Sequence, residues 1–133
     1  MKGYLLDTSI CIFLLRGNRA IEEKLNSVDT DNCYITDVVV AELLFGAYYS
    51  NMVEENLRQV KEFIAEMNVI PFEEGITAYA QEKARLWKTG KKSEDFDLLI
   101  GSVAKTKGLT MVTDNVQHFS HIEGLQIENW IQR

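Results

Sequence analysis

Short apolar runs alternate with helical periodicity along this chain, and that alternation limits the fold more than any other feature. Residues 3–6 form an apolar run that stops at Asp7, and Cys33-Tyr34-Ile35-Thr36 has the β-rich composition of a strand. Val69-Ile70 before Pro71, residues 109–112 and, more weakly, residues 125–127 supply three further strands. Between these runs lie helical patterns. Residues 9–15 read as a helix ended by Gly17, residues 20–25 as a second short one, and Thr36 or Asp37 can cap a third that carries Val39, Val40, Leu43, Leu44 and Ala47. Val53, Leu57, Val60, Ile64 and Met67 recur at steps of four and three. Ile76, Tyr79, Ala80, Ala84 and Trp87 mark the next helix, and its apolar stripe predicts a core position for Trp87. Phe96, Leu99, Ile100, Val103 and Ala104 mark the last, stopped by Gly108. Strands separated by helices predict an α/β fold, a three-layer α/β/α sandwich around a central, mainly parallel sheet. In such sheets ligands bind beyond the carboxyl ends of the strands, where the strand order reverses.

The length of 133 residues suits one domain spanning 1–133, large enough to hold a core without disulfides or metal staples. The two cysteines, Cys11 and Cys33, stand in apolar runs and form no Cys-x-x-Cys or Cys/His spacing, which argues against a disulfide scaffold or a structural zinc and for a cytoplasmic home. No apolar run approaches the ~18 residues of a membrane-spanning helix, so no membrane partner is expected. The net charge of −6 argues against general affinity for nucleic acid. Charge is unevenly spread, however: Lys83, Arg85, Lys88, Lys91, Lys92, Lys105 and Lys107 crowd into residues 83–107, opposed there only by Glu94, Asp95 and Asp97.

Several acids fall where the fold pattern does not need them. Asp7 directly follows the first strand, and Asp114-Asn115 follow the fourth; a helix cap and a turn are the plain structural readings. Asp97 stands in the first turn of a helix, with Gly101 one turn on to form a small-residue groove beside it. Glu42 interrupts a helix that is otherwise nearly apolar all round, where a carboxylate is costly unless paired or bound to metal. In a parallel sheet these positions can meet at the strand-order reversal. Two carboxylates ~5 Å apart repel by about 3 kcal/mol at an effective dielectric of 20. A divalent cation relieves that repulsion, and an all-oxygen donor set suits Mg²⁺ or Mn²⁺ and the phosphate chemistry these ions serve. His118 and His121, at i and i+3, lack a third soft ligand and make a poor metal pair.

Taken in order, Leu6-Asp7-Thr8-Ser9, Glu42-Leu43-Leu44-Phe45-Gly46-Ala47, Asp97-Leu98-Leu99-Ile100-Gly101 and Val112-Thr113-Asp114-Asn115-Val116-Gln117-His118-Phe119 resemble the PIN-domain family, and within it the VapC-type toxins of toxin–antitoxin pairs. The resemblance runs essentially end to end. It implies a Mg²⁺- or Mn²⁺-dependent endoribonuclease, an RNA substrate and a VapB-type antitoxin. Asp7, Glu42 and Asp97 match the family's three regular acids. The fourth position falls on Asn115, two residues after the threonine, with Asp114 an additional acid one residue earlier; either can complete the set. Residues 90–94, Gly-Lys-Lys-Ser-Glu, depart from the family's commoner Gly-Arg-Pro-Ile. In that reading Asp7, Glu42, Asp97 and Asp114 hold the ions, and hydrolysis leaves a 5′-phosphate and a 3′-hydroxyl. The basic stretch then steers RNA, unless it is only a solvated helix face. Phe45, Tyr48, Tyr49 and Met52 belong partly to the core and partly to a homodimer or antitoxin contact. Three rivals stay open: an RNA-processing nuclease without antitoxin, an aspartyl-phosphate enzyme built on Asp7, and a catalytically silent module whose acids dock a partner's arginine.

Overall fold

The computed structural model describes residues 2–131. Five strands, β1 (Tyr4–Leu6), β2 (Cys33–Thr36), β3 (Asn68–Ile70), β4 (Thr110–Val112) and β5 (Ile127–Glu128), form one sheet in the order β3-β2-β1-β4-β5. Every pairing is parallel. The helices are α1 (Thr8–Leu15), α2 (Arg19–Ser27), α3 (Asp37–Tyr48), α4 (Val53–Glu66), α5 (Ile76–Lys88), α6 (Asp95–Lys107) and α7 (Val116–Phe119).

The chain steps outward from β1 to β2 to β3, crosses back to β4, and steps outward again to β5. Right-handed crossovers therefore put α1–α4 on one face of the sheet and α5–α7 on the other. Burial agrees: all three residues of β1 and of β4 are buried, and since neighbouring side chains on a strand point to opposite faces, both faces are covered. Leu5, Leu6, Ile35, Met111 and Val112 from the strands meet Ile10, Val39, Ile100, Val103 and Phe119 from the helices in the core. The strand order reverses between β1 and β4.

Local signals work as the sequence predicts. The Thr36 side chain caps α3 by accepting from the Val39 amide, while Asp37 instead accepts from the Phe72 amide. Gly108 ends α6 in the left-handed conformation, at φ 67°. The small-residue groove beside Asp97 is filled by the protein itself: a Cβ on Gly101 would lie 2.4 Å from Ile122 Cδ1 and 3.3 Å from Phe119 Cδ1.

The exposed face of α5 differs from the sequence prediction. Leu86 is buried there, and so is Glu82, whereas Ile76 and Trp87 face solvent. Glu82 accepts from Lys105 at 2.6 Å and Arg85 at 2.7 Å, and it also accepts from the Glu123 amide, so a satisfied carboxylate occupies the place the apolar periodicity gave to carbon. The turn before α5 packs tightly on α6: a Cβ on Gly75 would come within 2.8 Å of the Val103 nitrogen. Gly75→Ala is therefore expected to cost about 1–3 kcal/mol in a urea titration, because backbone cannot yield as a side-chain end would. A change under 0.5 kcal/mol would show that α5 and α6 are free to separate.

Candidate active site

The first turn of α1 begins at the carboxyl end of β1, and this junction fixes Asp7. Its amide donates to the Val112 carbonyl of β4 at 2.9 Å, which pins the residue across the strand-order reversal. Its side chain caps α1: Oδ1 accepts from the Thr8 amide at 2.7 Å, and Oδ2 accepts from the Thr113 hydroxyl at 2.8 Å and more distantly from Ser9. Asp7 as a whole is 5% exposed. Burial pushes its pKa up to about 6; the bonds from Thr113 and Thr8 oppose the rise, and the charges of Asp97 and Glu42 add to it. Asp7 is thus a helix cap and, at the same time, a strained acid.

Glu42 reaches the same place from α3. Its Oε1 accepts from the Thr8 hydroxyl at 2.6 Å, so neighbouring residues on α1 hold two of the acids. Asp97, in the first turn of α6, is half-buried, and its Oδ2 lies 3.0 Å from His118 Nδ1. Burial raises the Asp97 pKa, the bond to His118 opposes that, and Glu94 raises it further. Asp7, Glu42, Asp97 and Asn115 line one cleft of about 530 Å³, together with Thr8, Ser9, Glu94, Asp95, Phe96 and His118. Asp114 is half-buried and lies outside that lining, whereas Asn115 is within it.

Thr113 escapes a search for acids, yet it organises the cleft. Its buried hydroxyl donates to Asp7 and accepts from the Asn115 amide at 2.9 Å. A threonine directly before Asp-Asn at a strand end was the available signal. His118 pairs with Asp97, 21 positions away, a partner that local spacing cannot reveal.

Among the described residues, no three acidic or imidazole groups form a ready-made cation cage. Each acid is instead held by a hydroxyl, an amide or an imidazole. The donor chemistry nevertheless fits a hard divalent cation. Five carboxylates line a cleft that contains no lysine or arginine, and repulsion from Asp97 and Glu42 already contributes to the high pKa of Asp7.

A parallel α/β sandwich with an acidic cleft at the carboxyl ends of its strands is the architecture of PIN-domain nucleases. The PIN domain model matches residues 4–125, and the chain belongs to the PIN-domain family. Within it, the chain is similar to the tRNA(fMet)-specific endonuclease VapC of Shigella flexneri, at 33% identity over 98% of this chain and 99% of the relative. It is 30% identical to the ribonuclease VapC2 of Haemophilus influenzae, over 98% and 100% of the two chains. Of solved structures, the DNA-bound VapBC of Salmonella typhimurium superposes with a TM-score of 0.92 at 32% identity, covering 98% of this chain and 100% of that one. VapBC2 of Rickettsia felis, bound to a DNA fragment from its promoter, gives 0.88 at 29% identity, covering 96% and 98%. Nucleases of this family generally depend on a divalent metal.

Proposed function

We propose that this protein is the toxin of a VapBC-type toxin–antitoxin pair, an endoribonuclease that hydrolyses RNA phosphodiester bonds with Mg²⁺ or Mn²⁺. The observation that carries the reading is the convergence of Asp7, Glu42 and Asp97, from three separate elements, on one cleft without a lysine or arginine. Full-length similarity to VapC ribonucleases supports it.

Asp7, Glu42 and Asp97 would hold the metal, with Asn115 or Asp114 as the fourth group. When bound, the metal activates water and offsets charge on the scissile phosphate. The chain's own groups set the geometry. Thr113 and Thr8 fix the rotamer of Asp7, Thr8 also anchors Glu42, and His118 orients Asp97. Phe96, exposed at the cleft, offers an apolar edge to a sugar or base. The antitoxin, or a second copy of the toxin, covers the exposed surface of Phe45, Tyr48, Tyr49 and Met52, where the Phe45 and Tyr49 rings stack at 5.7 Å. None of these four side chains enters the core. No helix of the described residues is long and apolar enough to cross a membrane; the cytoplasm, where RNA and reduced thiols coexist, is the proposed site of action, and Cys11 and Cys33 are both free.

The test is cleavage of defined single-stranded and structured RNAs by wild type and Asp97→Asn, purified alike, with Mg²⁺, Mn²⁺ or EDTA. Wild type should cut only with metal, and Asp97→Asn should be slower by at least about 10²-fold. Equal cutting by both proteins would remove Asp97 from the site, and cutting in EDTA would remove the metal from the reaction.

A further inference from the structure

Trp87 lies near the end of α5 with 58% of its surface exposed. Two ammonium groups flank its ring, Lys83 Nζ at 5.6 Å and Lys92 Nζ at 5.3 Å from the centroid. Lys83 Nζ also donates to Asp95 Oδ1 at 3.0 Å. Asp95 lines the acidic cleft beside Phe96, so a single lysine side chain separates the indole from the cleft's edge.

The basic stretch of residues 83–107 divides in two. Lys83 pairs with Asp95, Arg85 and Lys105 with Glu82, and Lys107 with Glu74. Lys88, Lys91 and Lys92 enter no ion pair among the described residues. Within this basic stretch, the charge not held in ion pairs thus belongs to close sequence neighbours of an exposed indole, and Lys92 Nζ lies at its ring. An acidic peptide would use the lysines and leave the ring idle, and an apolar partner would use the ring and strand the lysines. A nucleotide uses both, its base stacking on the indole and its phosphate meeting an ammonium group.

We propose that Trp87, with Lys92 and Lys83, is a stacking platform for an unpaired base of the RNA substrate, beside the cleft and joined to its edge through the Lys83–Asp95 pair. The inference rests on the ribonuclease reading and makes Trp87 a positioning residue. A base arriving on the indole takes the face near Lys92 and leaves that ammonium group beside the adjoining phosphate.

The sequence holds two tryptophans, and Trp130 is only 7% exposed, so quenching by an added oligonucleotide reports on Trp87. A short unstructured oligoribonucleotide, titrated with Mg²⁺ into Asp97→Asn protein, should quench emission saturably; adding Trp87→Phe to that protein should abolish the quench. In steady-state cleavage of the same RNA, Trp87→Ala should raise KM about tenfold with kcat within about twofold, and Trp87→Phe should recover most of the loss. Thermal melts check that both variants are folded. Unchanged KM in Trp87→Ala, with no quench, would overturn the platform while leaving the ribonuclease intact. A changed molecular mass of the toxin or its antitoxin complex, with KM unchanged, would assign the ring to a protein contact instead. A wild type inactive on every RNA would sink the ribonuclease reading itself, and the platform with it.

Discussion

Asp7→Asn is expected to reduce RNA cleavage by at least about 10²-fold while raising the melting temperature of the metal-free protein at pH 7. Both effects come from the same buried carboxylate. Folding lifts its pKa from 3.8 to about 6, so the folded state binds the proton more tightly than the unfolded chain. The associated stabilisation is present in full below about pH 4 and is lost as pH rises through about 6. At pH 7 the ionised group therefore weighs against folding by about 3 kcal/mol relative to a neutral one. Asparagine removes that charge and keeps the cap, since its amide oxygen still accepts from the Thr8 amide while its NH₂ can turn to the Thr113 hydroxyl. For a domain of this size the gain corresponds to roughly 10 °C. Melts in EDTA at pH 4.5 and pH 7 read it directly: the variant's advantage should be large at neutral pH and small at the lower one. A variant less stable than wild type at pH 7 would mean that the carboxylate is not strained.

Glu82→Ala is expected to do the opposite, lowering stability at pH 7 by about 3 kcal/mol. Burial alone would raise the Glu82 pKa, but its bonds to Lys105 and Arg85 outweigh that and hold it below the ordinary 4.5. Its contribution is present above that value and is lost as pH falls through the lower folded one. Removing the side chain also orphans the Glu123 amide and frees Arg85, which additionally donates to the His121 carbonyl. Glu82 is therefore the tie between α5, α6 and the segment that follows α7. Urea titrations at pH 7 and pH 3 should show variant and wild type converging in acid. A loss under about 1 kcal/mol at pH 7 would show that Lys105 and Arg85 are as well satisfied by water.

Asp7 and Glu82 also mark what the sequence can and cannot reveal. Strand identity came through because apolar runs of three or four residues, stopped by Asp7, Asp37, Pro71 and Thr113-Asp114, have no other use in a chain of this length. The acids stood out because a carboxylate at the carboxyl end of a strand, or inside an apolar helix, needs a reason. What periodicity could not supply was the orientation of α5. A stripe of Ile76, Ala80, Ala84 and Trp87 is as regular as a core stripe, and only Lys105, 23 positions away, reveals that Glu82 turns inward in its place. The same limit hid His118. Choosing between Asp114 and Asn115 is harder still, because one step along an irregular turn reverses the direction of a side chain, and composition is silent on which of two polar neighbours faces the cleft.

The bond from Thr113 to Asp7 spans 106 residues of chain. During synthesis, then, the ribosome makes Asp7 early and the hydroxyl that orients it near the end, after four of the five strands and six of the seven helices of the described residues. A growing chain carries Asp7 without Val112 to pin its backbone or Thr113 to set its rotamer, and α6 with Asp97 follows most of the sequence. The enzyme cannot be assembled piecemeal on the machinery whose RNAs lie nearest to it. With the site proposed above, activity would wait for β4 to pair with β1, which would leave an inhibitor the whole period of translation in which to be waiting.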